Sequence, residues 1–311
     1  MKKIVMLFAA AAMTVSAAFA QDINAVTDIF NNAGMELNMG NKEAALTEYQ
    51  SALAEAEALG EVGAEIAENC KATIPFLMIS IANDYIEAKN YEAAYDFLTK
   101  AEEAANLYGD ETKAAEAKAK ASQVLMAKAN DILKAKDYVG AIEVYSQIMA
   151  GDPNNAMAAL RLGQCYAATG ENDKAEEALN IAAANGQEKQ AFKQLSTIYV
   201  KKAQAVYKEK KFQEAYDLAV KSNEYLENAN ACKFAGQSAM ALGKTAEALP
   251  FLEKYVELSP NAKDANQMRF NIAATYQKLG DKEKAKTYYQ QVLSDPKFGA
   301  SAKQQFDALN K

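Results

Sequence analysis

A small residue followed twelve places later by an alanine recurs as a series of seven pairs set 33 to 49 residues apart, and that series constrains the fold more than any other feature. Ala33 precedes Ala45, Ala82 precedes Ala94, Ala129 precedes Ala141, and Gly163 precedes Ala175. Ala203 with Ala215, Gly236 with Ala248, and Ala273 with Ala285 complete the series. Polar turns lie between the partners, as at Lys136-Asp137-Tyr138 and Ala168-Thr169-Gly170-Glu171-Asn172-Asp173. Two antiparallel helices joined by a short turn produce this layout when their backbones touch at the small residues. Neither helix of such a pair buries its apolar stripe alone, so the pairs must stack, with Leu162, Tyr166 and Leu179 filling the space between. With only 14 glycines and five prolines among 311 residues, an alanine-rich chain favours helices over turn-rich sheets.

The pattern predicts seven units, near residues 26–59, 75–108, 122–155, 156–189, 196–228, 229–262 and 266–297. Asp152-Pro153 and Ser259-Pro260 end second helices, because proline cannot continue them. Residues 50–72 and 102–121 carry extra sequence of high helix propensity, read as lengthened helices with short breaks at Gly60 and Gly109. Pro75 either opens a first helix or kinks a longer one. Phe298, Ala302, Phe306 and Leu309 share one face of a last helix over 298–310, which caps the array.

Residues 1–20 stand apart. Lys2 and Lys3 precede an uncharged run from Ile4 to Ala20, and Ala18-Phe19-Ala20 fits a small-x-small cleavage site. This is the form of a secretory signal peptide, with the mature chain, 21–311, starting at Gln21. The expected location is outside the cytoplasm, periplasmic or associated with the outer membrane, with no stable membrane insertion after cleavage. Without Lys2 and Lys3 the 34 basic residues become 32 against 41 acidic ones, for a net charge of −9. Such a chain repels nucleic acid.

Chemistry-bearing motifs are scarce. The chain has no histidine, which removes the commonest general base and metal ligand. It contains no Gly-rich phosphate loop, nucleophile elbow or metal-binding spacing, so no cofactor, no metal and no catalytic residue is predicted. Adjacent acids such as Glu102-Glu103 and Glu176-Glu177 point about 100° apart on a helix. Cys70, Cys165 and Cys232 fall in different units, which favours three buried free thiols over a bridged pair. Lys201, Lys202, Lys208, Lys210 and Lys211 form a basic cluster that complements a helix C-terminus near Lys210; the other reading is attraction of an acidic partner or anionic envelope polymer.

The succession Leu162-Gly163, Tyr166, a turn at Gly170, Ala175 and Leu179 resembles the tetratricopeptide repeat, as does Ala129, Ala141, Tyr145 and Asp152-Pro153 one period of 34 residues earlier. The fourth place of each unit is never tryptophan here, and in the last unit it is Arg269. The resemblance covers essentially everything after residue 20. It implies an all-α, right-handed superhelical solenoid of antiparallel helix pairs, with the first helices lining a groove that binds other proteins or peptides.

Groove places carried over from the resemblance are Phe76, Ile79 and Asn83 in the second unit, and Met126, Asn130 and Leu133 in the third. Leu160 and Gln164 follow, then Val200, Gln204 and Tyr207, then Lys233, Gln237 and Met240, and finally Phe270 and Gln277. Asn83, Asn130, Gln164, Gln204 and Gln237 hold the same place in five successive units. Amides there suit the backbone of an extended peptide, although the repeat consensus itself carries an amide at that place. Chaperone-tail receptors of the family need lysine or arginine beside such an asparagine. Only Lys233 near Gln237 supplies one, and Met126 stands where a lysine is wanted beside Asn130.

The resulting expectation is a non-catalytic scaffold or adaptor of the bacterial cell envelope. The alternatives are a structural subunit of an envelope assembly complex and a carboxylate-dependent hydrolase of envelope polymers. No oligomeric state follows from the pattern.

Overall fold

The computed structural model describes residues 23–310; the expected signal peptide and its cleavage site lie outside the described residues. Helices account for nearly all of the described chain, and no strand occurs among the described residues. The chain divides into two compact parts, one ending at Ile148 and one beginning at Met149.

The first part contains α1 (Ile23–Asn38), α2 (Lys42–Ala58), α3 (Ala64–Glu87), α4 (Tyr91–Tyr108) and α5 (Glu111–Lys134). The helix α6 (Tyr138–Gly151) begins in it. From α1 to α5 each helix packs on the next, as short turns dictate. The shared core includes Ala33, Ala45, Tyr49, Ile74, Leu77, Ile81, Ala82, Ala94 and Leu98. A single 3-10 turn, Gly60–Gly63, separates α2 from α3, and a left-handed Gly109 ends α4. The extra residues therefore lengthen first helices: α3 and α5 have 24 residues each. Pro75 lies inside α3, ruling out the reading in which it opens a helix.

The second part contains α7 (Ala156–Thr169), α8 (Asn172–Ala182), α9 (Glu188–Lys208), α10 (Phe212–Tyr225), α11 (Ala229–Ala241), α12 (Thr245–Leu258), α13 (Ala265–Leu279), α14 (Lys282–Gln290) and α15 (Gly299–Leu309). Successive helices again pack in chain order. Between α8 and α9 the helical path breaks at Asn185 and Gly186, whose φ is 99°. The helix α9 starts at Glu188, a full two turns before the predicted unit at 196. On α15, Ala302 is fully buried while Phe306 and Leu309 cover the core of the preceding pairs. The prolines at 153 and 260 follow the ends of α6 and α12, as their missing N–H requires.

One turn geometry recurs in all seven pairs. The residue seven places after each small residue has positive φ: Gly40, Lys89, Lys136, Gly170, Lys210, Gly243 and Gly280. The next N–H then reaches back to the carbonyl five residues earlier, as from Asn90 to Tyr85 (2.9 Å), Glu171 to Tyr166 (2.9 Å) and Asp281 to Tyr276 (3.0 Å). This bond satisfies a helix-end carbonyl that would otherwise lack a partner. Asn90, Asp110, Asn155, Asn228 and Asp281 cap the helices that follow them by accepting from the N–H three residues on.

Candidate protein-binding surface

The first helix of each pair leaves a stripe outside its core contacts, and most of the predicted site residues lie on it. In the first part, Phe76 is 54% exposed, with Lys113 Nζ 5.5 Å from its ring centre. Asn83, Met126, Asn130 and Leu133 are half-buried. The Asn83 Oδ1 accepts from Lys120 Nζ at 3.3 Å, and the Asn130 Oδ1 accepts from Tyr145 OH at 2.7 Å. Ile79 does not belong to this face. It is 4% exposed and sits in the core, because α3 packs against several helices and buries most of its circumference.

In the second part, Gln164, Val200, Tyr207, Lys233, Gln237, Met240, Phe270 and Gln277 are half-buried, and Gln204 is exposed. Leu160 is a second correction: it is 4% exposed and packs with Leu179 and Leu195 in the core. The exposed apolar side chain of α7 is instead Met157, at 41%. Met157, Arg161 and Gln164 follow one another at spacings of four and three, so they share a face. Following Gln164 back through Arg161 rather than through Leu160 leads to Met157. Arg161 Nη1 donates to the Gln164 Oε1 at 3.1 Å.

Several of the predicted residues are already engaged within the fold. Tyr207 packs its ring against Phe212 and Phe234, at centroid distances of 5.4 and 5.7 Å. Phe270 lies between Tyr289 and Phe298, at 5.5 and 5.6 Å. The Gln277 Oε1 accepts from Tyr289 OH at 2.7 Å, while its Nε2 donates to the Gln305 Oε1 at 3.0 Å. Gln237 Nε2 and Thr275 Oγ1 make weak contacts of 3.8 Å to the sulfurs of Met268 and Met240.

Electrostatics further limit what the surface can hold. Lys233 pairs with Asp264, which also accepts from Tyr255 OH. Burial opposes ionisation of Asp264, but the bonds from Lys233 and Tyr255 outweigh it and hold the carboxyl below the usual range. Lys233 is thus neutralised in place and is not a free cation for a peptide terminus. Glu176 is held by Lys221 at 2.9 Å, whose Nζ also sits 4.4 Å from the Tyr199 ring centre. Burial, then the hydrogen bond to Glu176, raises the Tyr199 hydroxyl to about 12. Its neighbour Glu177 is exposed on a different face, so the two acids do not form an acid–base pair. Of the basic cluster, Lys202 pairs with Asp173 (2.9 Å) and Lys211 with Glu209 (2.8 Å). The thiols of Cys70, Cys165 and Cys232 are free and buried. Among the described residues no group of three or more acids and cysteines is placed to hold a metal ion. No helix there is long and apolar enough to cross a membrane.

Stacked antiparallel pairs with small residues at the crossing and a left-handed turn in each define a helical-repeat scaffold. A family model of the tetratricopeptide repeat matches residues 133–199, and another matches 229–262 and 267–294. These stretches of the chain are tetratricopeptide repeats, and repeats of this kind form protein–protein interaction scaffolds. Among solved structures, the chain is similar to MamA, with 21% identity over 56% of this chain and 96% of that one and a TM-score of 0.35. YrrB, described as a TPR protein with an unusual peptide-binding site, is 19% identical over 62% of this chain and 97% of its own, with a TM-score of 0.36. A thermophilic TPR protein of Thermus thermophilus, TTC0263, is 15% identical over 60% and 98%, with a TM-score of 0.28. No curated protein matches the chain.

Proposed function

We propose that the protein is a non-catalytic adaptor of the bacterial cell envelope that binds extended peptide segments of other proteins along its first helices. Residues 1–20 direct its export, and it works in the periplasm or at the inner face of the outer membrane. The observation that carries the binding reading concerns the amides. Asn83, Asn130, Gln164, Gln204 and Gln237 are all at least partly exposed. In three of them the oxygen is occupied, by Lys120, Tyr145 and Arg161. Those bonds orient the side chains and leave the amide N–H groups as the outward donors, suited to the carbonyls of a peptide backbone. Exposed Phe76 and Met157 supply apolar contacts beside them.

The test is affinity capture from an envelope fraction with the wild type and with an Asn130→Ala, Gln164→Ala, Gln204→Ala triple variant. Loss of a captured protein from the variant supports the reading, and retention of every captured protein contradicts it. Sequencing of the mature N-terminus tests export independently, with Gln21 expected first.

A further inference from the structure

The fourth place of the last repeat breaks the pattern of the others. Ile29, Met78, Leu125, Ala159, Tyr199 and Cys232 hold that place in the first six units, and all are packed into or against a core. In the seventh unit it is Arg269, and beside it opens a cleft of about 510 Å³ lined by Pro260, Asn261, Ala262, Asn266, Arg269 and Gln291. Arg269 is half-buried, at a place where five of the other six units bury an uncharged side chain. Among the described residues Arg269 has no acidic partner: Nη1 donates to the Asn266 Oδ1 at 2.7 Å, and Nη2 donates to the Pro260 carbonyl at 2.9 Å. A guanidinium carries five N–H donors, so these two neutral acceptors fix its plane and leave the rest of the fork unused. The nearby Asp295 carboxylate is turned to other donors, the Asn266 Nδ2 (2.8 Å) and the backbone N–H groups of Lys297 (2.8 Å) and Phe298 (2.9 Å).

We infer that this cleft is a carboxylate-binding site, with Arg269 as its anchor. A guanidinium presents parallel N–H bonds that match the two oxygens of a carboxylate. The remaining polar lining, Asn261, Asn266 and Gln291, consists of neutral amides, and no lysine contributes. One fixed positive charge among amides matches a singly charged planar anion better than a phosphate dianion. The site is formed by the turn after α12, the start of α13 and the chain after α14, and none of the five groove amides lines it, so it does not depend on that reading.

Only two arginines occur in the chain, Arg161 and Arg269, which makes their side-chain Nε–H NMR signals a direct probe. The mature protein is titrated with three small anions. N-acetylglycine offers a chain-terminal carboxylate, the α-amide of N-acetylglutamic acid offers only a side-chain one, and inorganic phosphate serves as the competing anion class. The expected result is saturable movement of the Arg269 signal with at least one carboxylate while Arg161 stays still; whichever carboxylate binds more tightly names the source. Arg269→Lys should weaken binding about tenfold through loss of the paired geometry. Arg269→Leu should abolish it while the melting temperature holds or rises, because leucine suits the place as other units fill it. Absence of saturable movement, equal movement of both arginine signals, or phosphate binding as tight as either carboxylate overturns the inference.

Discussion

A Cβ placed on Gly163 would lie 2.6 Å from the Cγ of Leu179, and 3.2 Å from the Ala175 carbonyl oxygen. Leu179 is fully buried and packed within the core of the second part, so any retreat must displace its neighbours. Replacing a helical glycine with alanine ordinarily gains up to about 1 kcal/mol. Here the clash exceeds that gain, and Gly163→Ala should destabilise the second part by roughly 1–3 kcal/mol. Gly236, with Leu252 at 2.5 Å, should behave alike. Urea unfolding of each variant reads the effect, and an unchanged or raised midpoint would show that these pairs are looser than described.

The turn lysines predict the opposite sign. Lys89, Lys136 and Lys210 hold φ values of 57°, 63° and 62°, at the place where four other units have glycine. A left-handed conformation costs a residue with a Cβ roughly 1–2 kcal/mol, partly offset by the greater unfolded-state freedom of glycine. Lys136→Gly should therefore raise stability by about 0.5–1 kcal/mol. A fall in the thermal midpoint would refute the strain.

Tyr145 OH holds the Asn130 amide oxygen at 2.7 Å. Tyr145→Phe removes that bond and should cost about 1 kcal/mol. It also frees the Asn130 amide to rotate, so any partner that depends on its outward N–H should bind more weakly. Binding unchanged in Tyr145→Phe but lost in Asn130→Ala would argue against an oriented amide.

Alkaline pH should destabilise the protein through its buried thiols. Burial pushes Cys70 and Cys165 up from 9.0 to about 11. Because the folded values lie above the unfolded ones, their contribution is complete below pH 9 and is lost as pH climbs from 9 to 11. The urea midpoint should fall across that window, and less steeply in a Cys70→Ala, Cys165→Ala variant compared with its own value at about pH 8. Native thiols should also resist maleimide near neutral pH until the chain is unfolded. Rapid native labelling of all three would contradict their burial.

The repeating pairs were legible in the sequence because their signal is local: small residues twelve apart, a turn between, and in six of the seven a tyrosine or leucine four beyond. The left-handed turn was legible at Gly170 but not at Lys136 or Lys210. There the returning hydrogen bond, from Asp137 to Ile132 or Lys211 to Val206, imposes a conformation that lysine does not advertise. Similarly, the start of α9 at Glu188 depends on the break at Gly186, which no apolar spacing marks. For the surface, the places carried over from the repeat resemblance put the amides on partly exposed positions. The carry-over failed at Ile79 and Leu160, which pack into cores instead. Arg269 was visible as a departure from the pattern, but its cleft depends on the turn at Pro260 and the chain around Gln291, which only the fold brings together.

The central claim is that first-helix faces, rather than second-helix faces, meet the partner. Site-specific photo-crosslinking in the envelope tests it most directly, with a photoreactive residue at Gln164, Gln204 or Gln237 and, as controls, at the exposed second-helix positions Glu177 and Glu247. The account predicts a protein crosslink from the three amide positions and none from the controls. Crosslinks arising from Glu177 and Glu247 alone would contradict it.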